Sequence, residues 1–182
     1  DGPGSATVSL TLEPTTSFDS PRALLVVDTD GDWLEVLLPV RPNGTTGWIR
    51  RDDVEVVEVN VAVEIDLEAR ELTVLEAGEV VLTTTVAIGD TDHPTPVGEF
   101  SITDKLDTGD PDGAYGPFAL GLSGHSDVLT EFAGGEGQIG IHGTNDPSSI
   151  GEAASHGCIR VPNDVVEELV RLLPLGTKVT VS

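Results

Sequence analysis

From Val61 the apolar residues of this chain fall on every second position: Val61, Val63, Ile65 and Leu67, then Leu72 and Val74 beyond a Glu68-Ala69-Arg70 turn. A period of two sends successive side chains to opposite faces of an extended backbone, so one face can be buried while the other stays wet. Ala77-Gly78 turns the chain again into a run from Val80 to Ile88. Three runs joined in this way predict a meander of hairpins, an antiparallel sheet without the strand–helix–strand rhythm of α/β proteins.

The residues before this meander read as shorter strands between turn signals: Ala6 to Leu12, Arg22 to Val27, Trp33 to Arg41, Gly47 to Arg50 and Val54 to Val59. Pro42-Asn43-Gly44 is a turn with a mechanism, because Asn and Gly both tolerate a positive φ. Strands this short and this closely spaced predict a small barrel or open sandwich over residues 1–56, followed by a second domain over residues 57–182. Asp32-Trp33-Leu34-Glu35-Val36 and Gly47-Trp48-Ile49-Arg50 resemble the Src-homology-three-like modules of bacterial cell-wall enzymes.

Gly, Pro and Asp dominate from Asp90 to Gly116, which predicts a long irregular segment able to cover a substrate. Asp104, Asp107, Asp110 and Asp112 lack the spacing and the closing Glu of a twelve-residue calcium loop, so they read as a solvated acidic loop. One helix is clear. Asn163 or Asp164 can cap it, Val166, Leu169, Val170 and Leu173 form its apolar stripe, and Pro174 with Gly176 stops it before a last strand over Thr177 to Val181. The fold class is therefore mainly β, with one C-terminal helix, a few short helical turns and no internal repeat.

Charge narrows the partners. Across 182 residues, 32 Asp and Glu oppose 9 Lys and Arg, a formal net charge of −23. Up to Val56 there are 10 acidic and 4 basic residues, and beyond it 22 and 5, so the second part carries −17 of the total. A surface this negative repels phosphate backbones and anionic lipids, which argues against nucleic acid or a membrane surface as partner. Apolar stretches such as Val36 to Val40 or Val80 to Leu82 are far too short to span a bilayer. The chain begins at Asp1, holds no Met and shows no signal peptide, so its compartment is left open at this level. Its single cysteine, Cys158, excludes an intrachain disulfide. A lone thiol is ordinarily a small buried hydrophobe.

The flanks of Cys158 are not ordinary. Ile141-His142-Gly143-Thr144-Asn145 and Ser155-His156-Gly157-Cys158-Ile159-Arg160 place two of the four His, the only Cys and an Arg within twenty residues. An imidazole can deprotonate a thiol, hold a thiolate–imidazolium pair, and later return the proton to a leaving amine. Gly157 lets the backbone approach a substrate closely, and consecutive N–H groups there can form an oxyanion hole. Acyl transfer is the chemistry these residues share. Two imidazoles compete for the role of base, since His156 lies two residues from Cys158, on the same side if the segment is a strand, whereas His142 must be delivered by the fold. A metal site of His142, His156 and Cys158 lacks a compact ligand pair and a fourth ligand, so neither metal nor other cofactor is expected. His93 and His125 carry no motif and read as loop or surface residues.

The string His-Gly-Thr-Asn … Ser-His-Gly-Cys-Ile-Arg resembles the signature of the bacterial L,D-transpeptidase catalytic domain. Val63-Glu64-Ile65-Asp66-Leu67 is similar to the family's opening strand, Thr95-Pro96-Val97-Gly98-Glu99-Phe100 to its Thr-Pro segment, and Tyr115-Gly116-Pro117 with Leu120-Gly121-Leu122-Ser123 to its middle region. The resemblance runs from about Val59 to Ser182 and implies a β-sandwich. It implies that Cys158 is the nucleophile and His142 the general base and later acid, oriented by the carbonyl of Gly143. It further implies an oxyanion hole lined by Gly157, Cys158 and His156, with Ser155, Thr144 and Arg160 supporting the site or contacting substrate.

The reaction so implied is acyl exchange between peptidoglycan stem peptides: a thioester forms with loss of D-Ala, and an amine of another stem then resolves it into a 3→3 cross-link. Carbapenem-type β-lactams are the implied covalent inhibitors, cell-wall biogenesis and cell shape the implied role, and an extracytoplasmic wall or periplasm-like space the implied location. Alternatives are an L,D-carboxypeptidase, with water as acceptor, another thiol acyl-transferase of the wall, or a non-catalytic wall-binding protein. Papain-like enzymes place Cys before His, the reverse of this order, and sortases space their His, Cys and Arg more widely than this cluster.

Overall fold

The computed structural model describes Pro3, residues 10–129 and residues 137–182. Most of the strand expected over Ala6 to Leu12 lies outside the described residues, and Leu10 to Leu12 form no strand. Two sheets carry the chain, and a two-stranded ribbon sits beside them. In the first, β1 (Val26–Asp30), β2 (Trp33–Leu37) and β3 (Thr46–Arg50) pair antiparallel in that order. Leu34 and Val36 point inward on β2, and Gly44 takes the positive φ that the Pro42-Asn43-Gly44 turn requires. The strand expected over Val54 to Val59 does not form. That segment runs extended without a sheet partner and leaves Val54, Val56 and Val57 exposed, because β3 already ends at Arg50 and the next pairing begins only at Val61.

The second sheet has eight strands. The predicted meander forms it at one end: β4 (Val61–Asp66), β5 (Glu71–Glu76) and β6 (Glu79–Thr85) pair antiparallel, with Val63, Ile65, Leu72 and Val74 all buried. Ala77 and Gly78, both at positive φ, make the tight turn between the last two. After the short β7 (Ile88–Gly89) come β8 (Gly98–Asp107), β9 (Phe118–His125) and β10 (Gln138–His142), then β11 (Ala153–Ser155) and β12 (Ile159–Arg160). The order across the sheet is β12-β10-β9-β8-β13-β4-β5-β6, with β13 (Lys178–Val181) last in the chain yet central in the sheet. The β7 and β11 strands pair separately, in parallel.

Two expectations are corrected here. The segment from Asp90 to Gly116 is not irregular throughout: β8, the longest strand among the described residues, lies inside it. Its residues Ser101, Thr103 and Asp104 are polar yet buried, which hid the strand from any hydrophobic pattern. They are satisfied locally, Ser123 Oγ accepting from Ser101 N–H at 3.0 Å and Asp104 Oδ2 from the Thr103 hydroxyl at 2.8 Å. The sheet is also mixed rather than antiparallel, since β13 lies parallel to β4, and β12 parallel to β10. Both strands reach their partners over long chain separations that no local pattern records.

The α1 helix (Asn163–Leu172) is the only α-helix among the described residues. It packs on β9 and β10 through Val166 and Leu169, with Leu173 just beyond its end, all fully buried. Burying each such side chain contributes about 1.5–3 kcal/mol, so this stripe fixes the helix against the sheet. Neither expected cap is used, because Pro162 occupies the N-cap position. Gly176, at positive φ, turns the chain and donates its N–H to Ile102 O at 2.8 Å, which feeds β13 into the sheet beside β8. The two sheets also touch. Asn43 donates to His125 O at 2.8 Å and accepts from His125 N–H at 2.9 Å, and Arg41 reaches the carbonyls of Ser126 and Leu129. No helix among the described residues is long and apolar enough to cross a membrane.

Candidate active site

The site is built at the end of β10. That strand runs parallel to β12 with Ile141 beside Ile159 and His142 beside Arg160. Both isoleucines are fully buried in the core, so the period of two sends His142 and Arg160 together to the opposite side. Backbone bonds lock this register: Val161 N–H donates to His142 O at 2.9 Å, and Arg160 exchanges both of its backbone bonds with Ala87. His142, Ser155, His156, Cys158 and Arg160 then line one cavity of about 100 Å³, together with Ala114 and Tyr115. Five residues singled out from the sequence are thus brought to one point.

The fold delivers His142, and it also sets its tautomer. The imidazole Nδ1 lies 2.6 Å from Gly143 O. A carbonyl only accepts, so Nδ1 carries the proton and the lone pair is left on Nε2. Burial pulls the His142 pKa down to about 4, with the Arg160 guanidinium acting in the same direction and the Gly143 carbonyl opposing. Burial pushes the Cys158 thiol up, against the backbone of Gly140 and the Arg160 guanidinium, which hold it down. The resting pair is therefore a neutral imidazole and a neutral thiol. Both shifts favour the neutral pair over the thiolate–imidazolium pair that the sequence allows, because desolvation outweighs the opposing pulls on each group.

His156, Gly157 and Cys158 form a bend between β11 and β12 rather than a strand, with His156 exposed and Gly157 buried at φ +110°. Ser155, buried beneath the bend, ties it together: its hydroxyl donates to Cys158 O at 2.5 Å and accepts from Gly157 N–H at 3.1 Å. The Gly157 N–H, expected in the oxyanion hole, is engaged by Ser155 in this structure. Thr144 is not in the cavity either. It lines a neighbouring cleft of about 880 Å³ with Asn145, Asn163, Asp112 and Asp164, its N–H donating to Asn163 Oδ1 at 2.7 Å and its hydroxyl accepting from Asp146 N–H at 3.0 Å.

Three participants escaped the sequence reading as site residues. Tyr115 packs edge-on against the His142 ring, centroids 4.7 Å apart at 60°, and burial raises its phenol pKa against the pull of Arg160. It is the only Tyr in the chain and stands in a run of Gly, Pro and Asp, a signal that was available. Asn163, expected as a cap, instead fills the space between Gly116 and Gly143: a Cβ on either glycine would come within 2.4 Å of its Oδ1. His93 is a half-buried loop residue whose ring lies against His156, centroids 4.8 Å apart. His125, expected in a loop or on the surface, is buried at the end of β9. Among the described residues no group of three or more His, Cys, Asp and Glu side chains is placed to hold a metal ion.

Comparison with known proteins points the same way as the geometry. The L,D-transpeptidase catalytic-domain family matches residues 60–181. The L,D-transpeptidase YkuD of Bacillus licheniformis is 38% identical over 120 residues, covering 66% of this chain and 64% of that protein. The chain thus spans slightly less than two thirds of that relative's length. Among solved structures, a mutant of the Enterococcus faecium L,D-transpeptidase is 26% identical with a TM-score of 0.52, over 68% of this chain and 50% of the other. The Ldtfm–avibactam carbamoyl enzyme is also 26% identical at a TM-score of 0.52, over 69% and 49%. A family match over most of the chain, which takes in His142, Cys158 and Arg160, makes this chain a member of the L,D-transpeptidase catalytic-domain family.

Proposed function

We propose that this chain is a cysteine-dependent L,D-transpeptidase acting on peptidoglycan stem peptides in an extracytoplasmic wall compartment. The observation that carries the reading is the convergence of Cys158, His142 and Arg160 on one small cavity, with the lone pair of His142 on Nε2. In the first half-reaction the thiol gives its proton to His142 Nε2 as the sulfur attacks the carbonyl of the donor stem's third residue. The Cys158 N–H, with the turn that Ser155 holds, faces the developing oxyanion. Collapse breaks the C–N bond, the imidazolium returns its proton to the departing amine of D-Ala, and a thioester remains. An amine of a second stem then attacks the thioester, His142 takes its proton, and the restored thiol leaves behind a 3→3 cross-link. Arg160 is the cation placed to hold a donor carboxylate in this acidic protein.

With water in place of the amine the same steps would make a carboxypeptidase. The carbamoyl enzyme that avibactam forms in a structural neighbour supports an acylatable nucleophile in this fold, and β-lactams of the carbapenem type are the covalent inhibitors this reading expects. Within the same reading, residues 1–56 are a Src-homology-three-like module and residues 57–182 the catalytic domain, a division supported by the change of sheet between β3 and β4.

Intact-mass spectrometry after incubation with a carbapenem tests the mechanism. The protein is expected to gain one drug mass, and the Cys158→Ala variant, folded to the same melting temperature, none. No adduct on the wild-type chain, or one retained in Cys158→Ala, overturns the assignment. A digest of disaccharide–tetrapeptide fragments separates the two reactions, since cross-linked dimers come only from an amine acceptor and shortened tripeptides from water.

A further inference from the structure

Beside the catalytic cavity stands a pair of residues that the mechanism above leaves unused. The loop over residues 90–95 leaves β7, which pairs with β11, the strand just before the Cys158 turn: Ile88 lies beside Ala153 and Gly89 beside Ser155. Asp90 extends that tie, its N–H donating to Ser155 O at 2.9 Å. One carboxylate oxygen of Asp90 then organises the loop. Asp90 Oδ1 accepts from Asp92 N–H at 2.9 Å and His93 N–H at 2.7 Å, and His93 Nδ1 lies 3.2 Å from the same oxygen. A carboxylate only accepts, so Nδ1 is the protonated nitrogen and the His93 ring is held in one orientation. In that orientation it packs on the His156 ring, tilted at 47° with centroids 4.8 Å apart.

Two glycines show how closely the loop and the turn are fitted. A Cβ on Gly89 would fall 2.2 Å from His93 O and 2.5 Å from Thr95 N. At Gly157 a Cβ would stand 3.5 Å from Pro94 O and 3.9 Å from His93 O. The loop is thus a wall of the turn that carries the thiol.

We propose that His93, oriented by Asp90, is a positioning residue for the His156-Gly157-Cys158 turn: its ring holds the His156 imidazole at the cavity and thereby fixes where the Cys158 sulfur stands. Ser155 ties the backbone of this turn, and the His93 ring adds a contact to its exposed side chain, His156. Reaction rates fall steeply when a reacting atom is displaced by about 1 Å, so loss of this contact is expected to slow Cys158 by between about 10- and 100-fold. The inference rests on the proposed function only in taking Cys158 as the reactive group.

The test uses two reagents on the full chain, a carbapenem for acylation and iodoacetamide for alkylation, and because Cys158 is the only cysteine both report on one atom. His93→Ala is expected to slow both reactions relative to wild type, and to slow neither further when His156→Ala is already present, since the two residues act as one unit. His93→Phe keeps a ring against His156 and is expected to react within about threefold of wild type, which also covers the case in which His93→Ala does not fold. Wild-type rates in His93→Ala, losses that multiply in the double variant, or a His93→Phe as slow as His93→Ala would each overturn the proposal. If the wild-type chain alkylates but takes no carbapenem, the transpeptidase reading fails while the alkylation ratios still decide this one.

Discussion

Acidification from pH 7 to pH 4 probes the neutral state of His142 directly. A free imidazole binds its proton with a pKa of 6.5, whereas burial and Arg160 bring His142 down to about 4. Between those values the unfolded chain binds a proton that the folded chain does not, so stability falls as pH falls, and the loss is complete once both states are protonated. A gap of about 2.5 units at about 1.4 kcal/mol each amounts to about 3 kcal/mol. The 32 acidic residues titrate over part of the same range, and relief of their mutual repulsion acts in the opposite direction. The comparison is therefore with His142→Asn, whose amide can still donate to Gly143 O but does not titrate. Urea unfolding should be followed by circular dichroism, because both tryptophans, Trp33 and Trp48, sit in the small sheet. The stability difference between the two proteins is expected to change by about 3 kcal/mol from pH 7 to pH 4, to the disadvantage of the wild type. Carbapenem acylation by the wild type is expected to hold steady from pH 7 to pH 5 and to decline only near pH 4. A constant stability difference, or a rate that halves near pH 6.5, would refute the claim that burial governs this imidazole.

Ser155→Ala leaves two backbone groups of the buried turn, Gly157 N–H and Cys158 C=O, without their present partner. It is expected to cost about 1–3 kcal/mol in urea unfolding and to slow acylation of Cys158, and unchanged values in both measurements would contradict the role given to Ser155. Gly116→Ala sets a Cβ at φ +64°, 2.4 Å from Asn163 Oδ1 and 2.7 Å from Gly143 Cα. Strain and overpacking together are expected to cost about 2–4 kcal/mol and, by displacing Gly143, to loosen His142. A calorimetric melting temperature equal to that of the wild type would show that the contact yields without cost.

The parts of the fold that were legible in the sequence are those whose side chains repeat locally. The β4–β5–β6 meander and the apolar stripe of α1 both bury one clean face, and a single face leaves a periodic trace. The β8 strand leaves none: Ser101, Thr103 and Asp104 are polar, buried and paired among themselves or with nearby strands, so the strand reads as loop. Val54 to Val59 shows the reverse failure. Its valines suit a strand, yet the chain offers that segment no partner, and propensity without pairing makes no sheet. The central position of β13 was equally invisible, because it depends on a strand closing over more than a hundred residues of intervening chain.

The site divides along the same line. Its composition was legible, since a thiol, two imidazoles and a guanidinium within twenty residues are rare in a chain so poor in basic groups, but its charge state was not. Spacing cannot report desolvation, and desolvation governs which form the half-buried Cys158 and the buried His142 favour. A standing thiolate in this cavity would need to be stabilised inside a chain of net charge −23, with Arg160 beside it and burial working against it. A neutral pair avoids that cost until a substrate carbonyl arrives to share the charge, and it requires only that His142 present Nε2 unprotonated. The bond from Nδ1 to Gly143 O secures that requirement, and the β10–β12 register secures the rest by setting His142 beside Arg160. The guanidinium that holds the thiol down is the same one that keeps the imidazole from charging, so one cation eases loss of the proton from sulfur while it keeps Nε2 unprotonated and ready until the attack itself.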